Sequence, residues 1–216
     1  LLKFSNTGQT YNRLSLAPIS KSVLPTMGFA AKQFQYNTFE DVRYYEVPTP
    51  FTEMYYKSVM EQGQTTDILF TTNTSPRFNF SISFKGLRSL GKYQHILTSG
   101  GRFQFTTNFR TRNNRYVIRF HYESQHSDQE ENGGLTSTSI NDFESGDKEF
   151  KERSKLSVKF ENADNGFNSK RYFVDHFYKV IATKDSIIRP TVSLGHRFNY
   201  ESKTNFFEQS AAYSSF

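Results

Sequence analysis

Phe78-Asn79-Phe80-Ser81-Ile82-Ser83-Phe84-Lys85 alternates apolar and polar residues without a break. Successive side chains of a β-strand point to opposite faces, so this segment puts Phe78, Phe80, Ile82 and Phe84 on one face and Asn79, Ser81, Ser83 and Lys85 on the other. The chain carries 23 Phe and 13 Tyr, yet no uninterrupted apolar run exceeds three residues. A membrane-spanning helix takes about 20 mostly apolar residues, and nothing here approaches that. A barrel strand takes only about 9–11, with every second one apolar. A mean hydropathy of -0.69 is therefore no obstacle to crossing a membrane with strands. Only helices and closed barrels satisfy their backbone hydrogen bonds in lipid. The alternation predicts an all-β fold, an antiparallel transmembrane β-barrel.

Alternation and turn residues predict strands over 10–16, 27–36, 42–47, 51–60, 65–73, 78–87, 103–112, 115–125, 155–162, 168–180 and 189–201, with shorter ones over 1–4 and 205–213. That makes roughly 10–13 strands. Thr74-Ser75-Pro76-Arg77, Asn113-Asn114 and Ala163-Asp164-Asn165-Gly166 read as tight turns, because Pro, Asn and Gly supply the backbone angles that turns need. Residues 88–102, 126–154 and 181–188 read as longer connections. Short and long connections alternate, as the periplasmic turns and extracellular loops of outer-membrane barrels do. The tight turns are thus expected on the periplasmic side, with Val47-Pro48-Thr49-Pro50, and Glu61-Gln62-Gly63-Gln64 on the other. The stretch 126–154 is expected to be a long, polar, acidic extracellular loop.

The lipid-facing set expected from this parity is Phe78, Phe80, Ile82, Phe84, Phe103, Phe105, Tyr116, Ile118, Phe120 and Tyr122. Leu156, Val158 and Phe160, then Tyr172, Val174 and Tyr178, and Val192, Leu194, Phe198 and Tyr200 continue it. The lumen-facing set includes Lys85, Arg110, Arg119, His121, Glu123, Lys159, Glu161, Arg171, Asp175, Lys179 and Arg197. A base on the lipid face would cost roughly 2–4 kcal/mol near the midplane, whereas facing water it is cheap. His176 and His196 fall on the outward parity and Phe173 and Phe177 on the inward one, which a bulge, an interfacial position or a shifted register would explain. A soluble β-sandwich is the alternative, since it buries an aromatic face with the same alternation. Strands of 10–13 residues and the scarcity of small aliphatic residues beside so much Phe speak against it.

Other chemistry finds little support. There is no cysteine, which removes disulfides and thiolate metal sites. The net charge is +6, yet residues 126–153 hold eight acids against three bases. The bases elsewhere are dispersed along strands with no nucleic-acid motif, so no nucleic-acid partner is expected. Gly86-Leu87-Arg88-Ser89-Leu90-Gly91-Lys92-Tyr93 matches most of a phosphate-binding loop. Tyr93 replaces the magnesium-binding hydroxyl, though, and strand–loop–strand replaces strand–loop–helix. His95, His121, His126, His176 and His196 show no metal-ligand spacing, and the acids around Glu130-Glu131 lack the defined spacing of a calcium loop. No catalytic residues, metal or cofactor are expected. Asp185-Ser186-Ile187 resembles a short O-glycosylation sequon of Bacteroidetes envelope proteins.

Residues 6–135 resemble the putative porin family of Bacteroidetes outer membranes. The resemblance is carried by Tyr44-Tyr45-Glu46-Val47-Pro48-Thr49-Pro50-Phe51-Thr52-Glu53, Glu61-Gln62-Gly63-Gln64, Asn73-Thr74-Ser75-Pro76, Lys85-Gly86-Leu87-Arg88-Ser89-Leu90-Gly91-Lys92-Tyr93-Gln94-His95 and Glu131-Asn132-Gly133-Gly134-Leu135. It implies one outer-membrane barrel without catalytic residues. Members are longer than 216 residues. Leu1-Leu2-Lys3-Phe4 opens in strand-like sequence with no signal peptide. Ala212 and Ser214 stand where a C-terminal insertion signal ending at Phe216 would alternate aromatic residues. The chain is therefore expected to be a fragment of a larger barrel. The function expected is diffusion of small polar solutes with a weak anion preference from the inward bases, the partner being outer-membrane lipid. The alternatives are a non-conducting accessory barrel bound to other envelope proteins in a secretion or uptake complex, and a soluble sandwich binding module.

Overall fold

The computed structural model describes residues 2, 3, 6, 8, 11, 12, 36–59, 63–181 and 192–211. The predicted strand at 27–36 apart from Tyr36, most of that at 10–16, all but residue 181 of the connection at 181–188 and the sequon at 185–187 lie outside these residues. Strands β1 (Leu2–Lys3) and β2 (Tyr11–Asn12) form a small antiparallel pair. The rest is one seven-stranded antiparallel meander of β3 (Phe51–Val59), β4 (Gly63–Ser75), β5 (Phe78–Ser89), β6 (Thr98–Arg110), β7 (Tyr116–Glu131), β8 (Ala163–Ile181) and β9 (Val192–Gln209). Each strand pairs with the next in sequence. Among the described residues, β3 and β9 are unpaired edges.

Two faces run unbroken across this sheet. Directly opposed residues share a face, so the register groups Phe70, Ile82, Phe105, Tyr122, Tyr172 and Tyr200 in one cross-strand row. A second row joins Phe80, Phe120, Val174 and Phe198. A third joins Tyr116, Tyr178 and Leu194. Phe103 lies opposite Ser124, eight residues beyond Tyr116. At about 3.4 Å per residue, this apolar band spans about 27 Å of strand, of the order of the ~25 Å band of outer-membrane barrels. Many of its side chains are exposed, Met54, Phe84, Leu194, Phe198 and Tyr200 among them, and no second sheet covers them among the described residues. His176 and His196 do lie on this aromatic face, their rings 5.5 Å apart, with His176 against Tyr116 near one end of the band. The ladder between them is regular, so their parity owes nothing to a bulge.

The turns at Pro76-Arg77 and at 111–115 are tight, as expected. The stretch 155–162 is a different matter. It is not a strand but the return arm of the connection 132–162, and Val158 bridges back to Leu135. Lys159 and Glu161 therefore stand off the sheet. Leu156 and Val158 bury themselves within the connection instead of facing outward. The expected turn at Ala163–Gly166 is the start of β8. Gly166 reads as a turn residue, but here it makes room for the Phe206 ring, which a Cβ would meet at 2.5 Å. Losing one strand reverses the parity of everything after it. β8 ends and β9 begins at the tight-turn end of the sheet.

The connection 132–162 is also more ordered than a polar loop need be. Helix α1 (Ser137–Ser145) starts at Thr136, whose hydroxyl caps the Ser139 N–H, and stops at Gly146 with φ 71°. The Arg153 guanidinium lies 3.9 Å from the Phe143 ring centre. Asn132 donates to the Gln94 carbonyl and Gln94 to the Ser154 carbonyl, which ties this connection to that at 90–97. The phosphate-loop-like stretch from Gly86 to Tyr93 leaves β5 into the latter, with no helix following.

Candidate functional site

The face opposite the aromatic band carries the chain's chemistry. Lys85, Arg110, Arg119, His121, Glu123, Arg171, Asp175, Lys179 and Arg197 all lie on it. Phe78, Phe80, Ile82, Phe84, Phe103, Phe105, Tyr116, Ile118, Phe120 and Tyr122 all lie on the other. Sequence reasoning missed what lies against the polar face. Residues 36–47 cross it as a segment belonging to no strand. The expected strand at 42–47 falls within this segment. It joins no ladder, and the side chains of the sheet hold it.

The first anchor is a charge cluster. Arg171 and Glu123 are opposed on β8 and β7, and Glu201 follows Arg171 on β9. Arg171 Nη1 donates to Glu123 at 2.8 Å, and Nη2 reaches Glu201 at 3.2 Å. Gln104, Gln125 and Asn37 also donate to Glu123, at 2.6, 2.8 and 2.8 Å. Arg171 Nη2 further donates to the Asn37 carbonyl and the Tyr36 hydroxyl, at 2.8 and 2.6 Å. The Asn37 N–H donates to Gln125 Oε1 at 2.8 Å, and Gln125 Nε2 returns a bond to the Asn37 carbonyl at 3.0 Å. Asn37 is thus paired much as a strand residue would be, but by side chains. The side chains of Arg171 and Glu123 are 1% and 0% exposed. Water-facing bases and acids were expected here; these are dry and survive by mutual neutralisation.

The second anchor is aromatic. The Asp41 carboxylate accepts from the Thr38 N–H and hydroxyl, which closes a turn at 38–41. Phe39 beside that turn stacks on Phe173 at 5.5 Å, and Phe173 stacks on His121 at 4.7 Å. Phe173, one of three aromatics of β8 on the polar parity with Phe167 and Phe177, therefore needs no register slip. It is the seat for this segment. The Tyr44 hydroxyl is 2.8 Å from His121 Nδ1, and the Arg119 guanidinium lies 5.6 Å from the Tyr44 ring centre. The third anchor is at the tight-turn end, where Arg110 pairs with Glu46 and the Val47 N–H donates to Asn73 Oδ1 at 3.3 Å.

Burial sets the acidity of the segment's phenols. Tyr36 is pushed up to about 12 by loss of solvent and then by its hydrogen bond to Glu201. Tyr44 and Tyr45 are raised by the same loss of solvent. All three stay protonated at neutral pH, and Tyr36 donates to the Glu201 carboxylate.

Beside the segment lies a polar cavity of about 740 Å³, with Arg43, Tyr45, Glu53, Asp67, Lys85 and Arg102 among its walls. Lys85 and Asp67 pair at 3.5 Å, both about half exposed. Arg43 and Arg102 have no acid within ion-pair distance among the described residues. Among the described residues no three His, Asp or Glu are grouped as a metal site, and no helix is long and apolar enough to cross a membrane, which says nothing of strands.

A family model described as "Putative porin" matches residues 1–216, the whole chain. No curated protein and no solved structure matches it.

Proposed function

The chain belongs to the putative porin family, and from that premise we propose that it forms part of an outer-membrane β-barrel through which small polar solutes diffuse. The observation that carries this is the exposed aromatic face. A sheet with one apolar face must bury it, and lipid is the one environment that covers it without a second layer. The polar face then lines the lumen. In lipid the edges β3 and β9 must also be paired, since unsatisfied backbone there costs several kcal/mol per group. The barrel's work is passage, not catalysis.

A weak anion preference rests on fewer residues than a count of bases gives. Arg171, Arg197, Arg110 and Lys85 each have a carboxylate partner. Arg43, Arg102, Arg119 and Lys179 have no such partner among the described residues, and with Asp41 and Glu53 also on the cavity wall they leave only a slight bias of the passage toward anions. A second reading is favoured by the covered patch of the polar face: a barrel so filled conducts nothing and serves as an accessory to a larger envelope complex. Planar-bilayer recording of the intact, detergent-purified protein separates the two. Discrete conductance steps, with reversal potentials favouring the anion, are expected. A reversal potential favouring the cation would overturn the charge argument. A stable barrel with no steps and co-purifying partners would establish the accessory reading.

A further inference from the structure

We propose that residues 36–47 are a fixed constriction inside the barrel, which confines passage to the cavity beside them and sets the size of solute that passes. The inference rests on the polar face being the lumen wall. Side chains on an open pore wall meet water, yet His121, Glu123, Thr106, Ser169 and Arg171 are each at most 2% exposed. Among the described residues outside the sheet, it is this segment that bonds to Arg171, Glu123 and His121. It is no added strand of the wall, because its backbone is bonded by the side chains of Gln125, Arg171 and Asn73.

The three anchors lie at different heights along the barrel. Tyr36 and Asn37 sit at the Arg171 row, Phe39 and Tyr44 at the Phe173–His121 row, and Glu46 at Arg110 near the tight turns. The chain then passes Pro48 and Pro50 into β3, so the segment is tethered covalently to the wall it lies on. Lifting it would break all three anchors together and strand an aromatic seat on Phe173. It is therefore a permanent narrowing and not a mobile lid. Covering part of the β6–β9 side leaves the cavity, which runs beside the segment from Glu53 on β3 to Gln125 on β7 and Phe167 on β8, as the remaining route. That route is walled by Arg43 on the segment and by Glu53, Asp67, Lys85 and Arg102 on the sheet.

The test replaces residues 37–46 by Gly and Ser at unchanged length in the intact protein, with and without Thr106→Cys. The chain has no cysteine of its own. Thr106 lies opposite His121, under the Tyr44 anchor. With the segment in place, Thr106→Cys should resist a membrane-impermeant thiol reagent. Replacement should speed its labelling about tenfold or more, as exposure governs thiol reactivity. Replacement should also raise single-channel conductance and admit larger polyethylene glycols. Equal labelling in the two proteins overturns the proposal. So does faster labelling with unchanged conductance and polymer cut-off, since the segment would then cover the wall without limiting passage. If neither protein conducts but labelling still differs, the segment fills the lumen and the diffusion reading is what fails. Should the replacement not fold, Asn37→Ala combined with Tyr44→Ala weakens the first two anchors, removing the side-chain bonds to Glu123 and His121, and must show the same changes in smaller degree.

Discussion

The polar face of the sheet contains two regions of opposite character. Under residues 36–47, between β6 and β9, Glu123 and Arg171 are sealed from solvent, and Glu123 accepts from Asn37, Gln104, Gln125 and Arg171. On the cavity wall at β4 and β5, Lys85 and Asp67 form an ion pair of similar composition with both side chains about half exposed. Both pairs come from the same alternation, and both are directly opposed on neighbouring strands. What differs is the cover. Inward parity tells which face a charge is on, but not whether water reaches it, and water decides what the pair contributes.

The largest effect expected is from Arg171→Ala. It takes the paired guanidinium from the buried Glu123 and the partly buried Glu201 and removes two bonds to residues 36 and 37. Breaking a buried pair from one side costs about 3–5 kcal/mol. Urea unfolding of the intact protein in detergent reads this as a lower midpoint. A loss below about 1 kcal/mol, the value for exposed pairs, would mean that water already reaches this patch, and the contrast between the regions would collapse.

Tyr44→Phe should act on the same covered patch more gently. The ring stays, and so does its contact with Arg119, while the bond to His121 goes. One buried hydrogen bond contributes about 1 kcal/mol. The Thr106→Cys labelling described above should rise only slightly with it, because the anchors at Asn37 and Glu46 remain. Labelling as fast as in the fully replaced segment would show that the three anchors act as one.

Much of this fold was legible because period-two alternation is a direct record of faces. In β5 the run from Phe78 to Lys85 told inside from outside residue by residue. The record failed where a residue serves something other than alternation. Gly166 looked like a turn, because the ring of Phe206 that needs its missing Cβ is forty residues away in sequence. Leu156 and Val158 alternate as strand residues do, but they pack into a connection. Residues 42–47 join no strand, and alternation cannot tell a chain hydrogen-bonded to a neighbouring strand from one bonded to side chains. The site left one trace. Phe173 broke the polar parity of β8, and an aromatic among inward polar residues marks something apolar waiting opposite. Here that is Phe39. Nothing local to residues 36–47 names their partners, which lie 26 to 165 residues further along the chain, from Val47–Asn73 to Tyr36–Glu201.

The smallest effect expected sharpens the contrast from the other side. Lys85→Ala removes the partner of Asp67 at 3.5 Å, where both side chains are about half exposed. Water takes over the solvation of Asp67, the long lysine side chain regains its freedom, and the net change is about 0–1 kcal/mol. It should shrink further as salt is raised, because the Debye length falls from about 10 Å at 0.1 M to about 3 Å at 1 M. The loss in Arg171→Ala should keep most of its size over the same range, since mobile ions do not enter a sealed patch. Unfolding each variant at low and high salt measures the two dependences side by side. If Lys85→Ala were as costly and as insensitive to salt as Arg171→Ala, the cavity would be closed to solvent, and no route would remain on that side of the wall.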